Sequence, residues 1–312
     1  MFRTTQTARV AYLFPGQGSQ TVGMGKDLYE RSPAARMVFE EIDDTLGRRL
    51  TSVMFQGPDE ELTKTENAQP AITAVSLAAY MALEEASGAF RVPAMVAGHS
   101  LGEYSSLAVA GALSIADTAR LVVERGRLMQ HACDQRPGGM AALIGIDELS
   151  VEEICRETGV EKANVNSDDQ IIISGDHPSL ARAIDLAAAR GARKCVSLQV
   201  GGAFHSGLME PARSGLVDVI ESLDWRDPQI TIVANCDARP LTTAQEIKEE
   251  LTGQIMSCVR WSASVRYILD QGVTEFVEVG PGRVLAGLLR RIERSARVSN
   301  VNDMDSVLAL AS

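Results

Sequence analysis

The stretch from Val92 to Tyr104, Val-Pro-Ala-Met-Val-Ala-Gly-His-Ser-Leu-Gly-Glu-Tyr, restricts the fold more than any other. Its first half is a short apolar run of the kind that forms a buried strand. Its second half is small and apolar at helical spacing, with Leu101, Tyr104, Leu107 and Ala108 in register. Between them, Gly98-His99-Ser100-Leu101-Gly102 fits the G-x-S-x-G elbow that lifts a nucleophilic serine above a sheet edge. A turn this sharp strains its central residue, and glycines on either side let the neighbouring backbone pass without Cβ clashes. The helix that follows points N–H groups and the positive end of its dipole at charge developing on the serine. Chance can produce the pentapeptide at any Gly-rich βα turn, but here the strand and helix that define the motif flank it.

A chain of 312 residues, 45% hydrophobic and free of low-complexity tracts, is globular, and its length allows one large domain or two smaller ones. The net charge of -11 disfavours nucleic acid as a general partner. No run approaches the ~18 apolar residues of a membrane span, and the first nine residues lack a hydrophobic signal core. Cys133, Cys155, Cys195, Cys236 and Cys258 are scattered, without the spacing of a disulfide frame or zinc site. The expectation is a reduced, cytoplasmic protein.

Taken in order, Val10–Phe14 reads as a buried strand and Pro15–Gln20 as the tight turn after it. That turn is no phosphate loop, because Lys26 lacks the upstream glycine and Asp27 replaces the Ser/Thr. Helices are predicted over 24–47, 69–87 and from the capping signal at Ser114–Asp117 to about 131. Residues 138–200 then read βαββαβ, the split-βαβ ferredoxin-like order, bracketed by Pro137-Gly138-Gly139 and Gly201-Gly202. This gives an inserted subdomain at 138–200 within a core formed by 1–137 and 201–312. Strands at 230–234 and 274–279, with helices at 245–256, 261–271 and 283–293, complete the core. Strand–helix alternation on both sides of the insert predicts an α/β fold with a mostly parallel sheet covered on both faces.

In the third helix Leu121, Val122, Leu128 and Met129 form the apolar stripe, and Arg125 falls on it. A guanidinium facing a core needs an anionic partner. Two remain open: a buried Asp or Glu, or an anion that arrives with a substrate. A serine also needs a base near neutral pH. Of four histidines, His99 adjoins the serine and points elsewhere, His131 sits near a helix C-terminus, and His177 starts a helix in the insert. His205, on a glycine-preceded turn where the chain re-enters the core, is left as the best base.

Phe14–Gln20, Gly98–Tyr104, Glu124-Arg125-Gly126, Gly202–Ser206 and Glu278–Gly282 together resemble, over essentially the whole chain, the malonyl-CoA:acyl-carrier-protein transacylases of type II fatty-acid synthesis. The resemblance implies an α/β-hydrolase-like core with an inserted ferredoxin-like subdomain. It implies Ser100 as nucleophile, His205 as base, the backbone N–H groups of Gln17 and Leu101 as oxyanion hole, and Arg125 as the group that holds the malonyl carboxylate. Gln69 and Asn166 match polar residues lining the family's pocket, and the backbone carbonyl of Arg260 matches the group that orients the histidine. The implied reaction is ping-pong transfer from malonyl-CoA through a malonyl-serine to the phosphopantetheine thiol of holo acyl carrier protein, with no metal or redox cofactor. No nucleic acid or membrane partner is implied, and a monomer is expected. Acyl carrier proteins are acidic, as is this chain, so docking requires a local basic patch, with Arg182, Arg190, Arg193 and Lys194 as candidates.

Three other readings compete. A trans-acting polyketide-synthase acyltransferase shares the motifs, although Phe204-His205-Ser206 resembles the form associated with malonyl over methylmalonyl units. A serine esterase or thioesterase shares the elbow, but those enzymes place an Asp or Glu between serine and histidine in chain order. Here the acids between 100 and 205 lie mostly in the helix or the insert, and Arg125 has no role on a neutral ester. A catalytically idle carrier-docking module would not need Ser100, His205 and Arg125 together.

Overall fold

Strand and helix signals alternate through residues 9–87 and 92–312, which the computed structural model describes. Residues 1–8, part of the segment read above for a signal core, lie outside them. The chain opens with β1 (Arg9–Phe14), α1 (Lys26–Arg31), α2 (Pro33–Leu46), α3 (Leu50–Gln56), α4 (Asp59–Thr63) and α5 (Thr65–Ala86). The elbow joins β2 (Met95–Gly98) to α6 (Gly102–Val109), and α7 (Ile115–Gln135) follows. A second unit holds β3 (Gly139–Ile144), α8 (Glu148–Thr158), β4 (Glu161–Ser167), β5 (Gln170–Gly175), α9 (His177–Ala189) and β6 (Lys194–Ser197). The chain ends with α10 (Glu210–Ser222), β7 (Thr231–Val233), β8 (Pro240–Leu241), α11 (Ala244–Gln254), α12 (Trp261–Asp270), β9 (Val273–Val279), α13 (Val284–Ile292), β10 (Arg297–Val301) and α14 (Met304–Ala311).

Six strands form the main sheet in the order β10-β9-β1-β2-β7-β8, parallel throughout except where β8 pairs with β7. The adjacency of β1 and β2 matters most, because it brings the turn after Phe14 beside the elbow after Gly98. Alternate residues of β1 face different cores: Val10, Tyr12 and Phe14 pack with α2 and α5, and Ala11 and Leu13 pack with α12 and α13. A strand buried on both faces has no polar side, so β1 reads as a continuous apolar run. α5 is buried on nearly every face, and alanines at 68, 71, 74, 78, 79 and 82 let it run deep between its neighbours. The second sheet is antiparallel, in the order β4-β5-β3-β6. In β3, Ala141 and Leu143 face that unit's own core, whereas Met140 and Ala142 join the main core. The second sheet therefore closes over the carboxyl ends of the first. The expected fold class is met.

Several elements differ from expectation. The helix predicted over 24–47 is two helices, broken where Ser32 caps Ala35 N–H ahead of Pro33. The helix predicted from 69 begins at Thr65 and carries Pro70 inside it, and α7 runs one turn past His131 to Gln135. α3, α4, β8, β10 and α14 had no clear signal. β10, for instance, buries only Val301 fully, so no apolar run marks it. No helix among the described residues is long and apolar enough to cross a membrane.

Candidate active site

The elbow forms because two backbones approach each other more closely than any side chain permits. A Cβ on Gly98 would lie 1.8 Å from the Gly102 carbonyl carbon, and one on Gly102 would lie 1.9 Å from Phe14 O. Ser100 itself takes φ 52°, a left-handed conformation that costs a residue of its kind about 1–3 kcal/mol. Neighbours hold it there from both sides. Its N–H donates to Asn235 Oδ1 at 2.7 Å, and its carbonyl accepts from Gln254 Nε2 at 2.9 Å. Asn235 also donates to Gly98 O at 2.8 Å, so one amide side chain brackets the turn.

His205, likewise at positive φ (56°), places Nε2 2.7 Å from Ser100 Oγ. Its Nδ1 lies 3.0 Å from the carbonyl of Gln254 and 3.1 Å from that of Ser257. Two carbonyls around Nδ1 assign the proton to that nitrogen and leave Nε2 as the acceptor for the serine proton. Among the described residues no carboxylate touches the ring. Burial, and then the charge of Arg125, push the imidazole down to about 3, so it is a neutral base across the physiological range.

Arg125, 1% exposed, reaches the same point from α7. Nη1 donates to Gln69 Oε1 at 2.7 Å, and Nη2 donates to Gln254 Oε1 and Ser100 Oγ, each at 3.2 Å. The guanidinium lies over the Tyr104 ring, 5.0 Å from its centroid. Its Nε is buried with no hydrogen-bond partner. Among the described residues no carboxylate pairs with it, which decides one question the sequence left open: this cation has no counter-ion among them. A fully buried charge without one is costly, and the wall it forms is ready for an anion.

Ser100, His205, Arg125, Gln17, Leu101 and Asn166 line one cavity of about 260 Å³. Apolar side chains from both sheets' surroundings complete it, among them Met140, Ile172, Phe204 and Leu288. The loop carrying Gln17 leaves the carboxyl end of β1 beside the end of β2, the position where ligands bind parallel sheets. Among the described residues the N–H groups of Gln17 and Leu101 donate to no protein acceptor. Gln17 is fixed by its side chain, whose Nε2 donates to Thr65 Oγ1 at 3.2 Å. Asn166 accepts from His99 Nε2 at 2.8 Å, and the His99 ring lies against Trp261, 5.5 Å between centroids.

Two expectations require correction. The Arg260 carbonyl does not orient His205: it accepts from Ser264 N–H at 3.0 Å, at the start of α12, and the ring is held by Gln254 and Ser257 instead. The physical reason is that α11 ends at Gln254, and the carbonyls of Gln254 and of Ser257 just past the helix end are turned to the histidine, Gln254 O also accepting from Ser257 N–H at 3.2 Å. Gln69 does not face the cavity, since it is fully buried behind Arg125.

Sequence reasoning also missed the layer behind the nucleophile. Glu103, fully buried, accepts from Asn235 N–H at 3.0 Å and from Gln254 Nε2 at 2.5 Å. Glu250 accepts from Asn235 N–H at 3.0 Å and Cys236 N–H at 2.8 Å. Burial, joined for Glu103 by the Glu250 charge, raises both carboxyls above their ordinary range. A signal for Glu103 exists within the elbow: position 103 falls among Gly102, Tyr104 and Leu107, a face too apolar for a solvated acid.

The chain matches the acyl transferase domain family over residues 11–310. It is 42% identical over 305 residues to the malonyl CoA-acyl carrier protein transacylase of Bacillus subtilis, covering 96% of this chain and 95% of that one. Against the Escherichia coli K12 protein of the same name the figures are 39% over 303 residues, with 96% and 97% covered. Among solved structures, an acyl-carrier-protein-S-malonyltransferase from Bartonella henselae superposes with a TM-score of 0.93 at 42% identity, covering 97% of this chain and 98% of that one. A malonyl-transacylase in complex with its type II polyketide-synthase acyl-carrier protein superposes with a TM-score of 0.93 at 39% identity, covering 97% and 98%.

Proposed function

This chain belongs to the acyl transferase family and, within it, to the malonyl-CoA:acyl-carrier-protein transacylases, and on that premise we propose how its residues share the reaction. The enzyme moves the malonyl group from malonyl-CoA to the phosphopantetheine thiol of acyl carrier protein, supplying fatty-acid elongation. The observation that carries the assignment of roles is Arg125: a buried guanidinium without a carboxylate partner, 3.2 Å from the hydroxyl that would attack.

Ser100 Oγ attacks the thioester carbonyl as its proton passes to His205 Nε2. The Gln17 and Leu101 amides hold the oxyanion, and loss of one such donor typically costs ~10²–10³ in rate. The C–S bond breaks, the CoA sulfur takes the proton from His205, and a malonyl-serine ester remains. The carrier thiol then gives its proton to His205, attacks the ester, and Ser100 recovers the proton as it leaves. Arg125 holds the malonyl carboxylate through both steps by paired N–H···O⁻ bonds. Once that carboxylate offsets the guanidinium charge, the second largest cause that depresses His205 is relieved, so binding the correct acyl group strengthens the base. The protein groups supply every proton transfer, and the mechanism calls for no metal or redox cofactor.

We further assign residues 138–200 as an insert that roofs the site and 1–137 with 201–312 as the acyltransferase core; the support is that β3 to β6 form a sheet of their own. For the carrier, the basic residues suggested by sequence are mostly engaged. Arg190 pairs with Glu153 and Glu157, Arg193 with Asp169, and Arg182 donates to Thr158 O. The end of α13 fits better. Val284, 51% exposed, sits at the cavity, and the exposed Arg290 and Arg294 beyond it form no ion pair among the described residues. Arg290 lies six residues, about 9 Å, along the helix from Val284. An acidic carrier can rest there while its arm enters past Val284.

The test is intact-protein mass spectrometry after mixing with malonyl-CoA. A malonyl adduct is expected that requires Ser100, weakens in Arg125→Ala and discharges onto holo carrier protein. Loss of the adduct to water with carrier present would support a hydrolase instead.

A further inference from the structure

Arg125 is held in place by two buried glutamines, although the nearest acid could have done the same work. Gln69 and Gln254, both fully buried, present Oε1 to Nη1 and Nη2 at 2.7 and 3.2 Å. The Gln254 amide is the more constrained of the two. Its Nε2 faces two acceptors, Ser100 O and Glu103 Oε2, so a flipped amide would set donor against donor at the guanidinium and acceptor against acceptor at the carboxyl. Glu103 is anchored in turn by Asn235 N–H. A carboxyl group thus lies one amide away from Arg125, joined to it through Gln254 and never touching it.

We propose that the Gln69–Gln254 amide pair is a specificity determinant: it fixes the guanidinium through neutral oxygens, with Glu103 setting the Gln254 amide, and so reserves the charge of Arg125 for a carboxylate on the acyl group. A carboxylate at position 69 would hold Arg125 but neutralise it, and one at position 254 would neutralise it and also lose the donor to Ser100 O and Glu103 Oε2. An incoming malonyl carboxylate would then have to displace an internal one, whereas an acyl group without charge would lose nothing of this kind. The inference rests on Arg125 as the malonyl contact. It adds that discrimination between charged and uncharged acyl groups depends on what Arg125 does not touch. Gln69 and Gln254 are positioning residues here, since neither reaches the substrate.

The experiment compares Gln254→Glu and Gln69→Glu, nearly isosteric with the native residues, with Arg125→Ala and the native enzyme. The readout is the ratio of acylation rates, kcat/KM, with malonyl-CoA and with acetyl-CoA, followed by quenched-flow mass spectrometry. Each Glu variant is expected to lower the malonyl-to-acetyl ratio by about 30-fold or more, the loss typical of removing a buried charged contact. Having two sites guards against one variant failing to fold, which the melting temperature reports. A merely structural role lowers both rates together, so a ratio within about threefold of native in every folded Glu variant overturns the proposal. If Arg125→Ala also leaves the ratio unchanged, the malonyl contact itself is wrong. If Arg125→Ala collapses the ratio while the Glu variants preserve it, the contact stands and the reserved-charge inference fails.

Discussion

Acylation by a donor whose acyl group is uncharged isolates the state of His205 between pH 5 and 8, because no acyl carboxylate titrates or binds Arg125. With the imidazole at about 3, roughly 1% of it is protonated at pH 5, and the acylation rate should hold to within a few per cent from pH 8 to pH 5. An imidazole at its ordinary value of about 6.5 would be ~97% protonated at pH 5, and the rate would fall about 30-fold. The assay is kcat/KM for acetyl-CoA, read as acyl-enzyme formation in rapid-quench mass spectrometry. Arg125→Gln removes the second cause of the depression and leaves burial, the first. Its profile should therefore bend at a higher pH than native, still below 6.5. With malonyl-CoA the bound carboxylate should shift the kcat profile in the same direction in the native enzyme. An inflection near pH 6.5 in the native kcat/KM profile would refute the argument, and so would an Arg125→Gln profile identical to native.

The same depressed group predicts acid lability: its contribution to stability is complete above about pH 6.5 and is lost as pH falls toward 3. By pH 4.5 it should cost roughly 2–3 kcal/mol relative to pH 7, and His205→Gln should flatten that part of a denaturant-midpoint profile. Asn235→Ala removes both the acceptor of Ser100 N–H and the donor to Gly98 O, so urea unfolding should show a loss of about 2–3 kcal/mol and acylation should slow at least tenfold. Glu250→Gln relieves a raised carboxyl whose penalty is complete at high pH and vanishes below its ordinary range; the melting temperature should rise at pH 8.5 and not at pH 4. Arg290→Glu with Arg294→Glu should raise the carrier KM about tenfold at low salt and less at high salt, while self-malonylation in the absence of carrier changes less than twofold.

What was legible in the sequence was whatever local geometry forces. The elbow could be read because two close backbone approaches require glycine at 98 and 102, and the second sheet because its six elements alternate strongly over a short span. Arg125 could be placed on a buried face by its period on α7, and His205 emerged because few histidines compete. The failures share a different cause. Gln254 and Asn235 act on Ser100 across 154 and 135 positions, Glu250 acts through Asn235, and no periodicity encodes such a meeting. Arg260 was misassigned because a carbonyl's role depends on where a helix stops, and helix ends are the feature least determined by local pattern. The identity of Arg125's partner was beyond reach for a stronger reason. The sequence shows a buried cation and abundant acids, and a carboxylate is the ordinary partner for such a cation. Glu103 lies within one side chain of it, yet an amide stands between them. That the charge remains uncompensated is a property of how α5, α6, α7 and α11 converge. It is also the property on which the proposed preference of this cavity for an acyl carboxylate, and not merely an acyl group, rests.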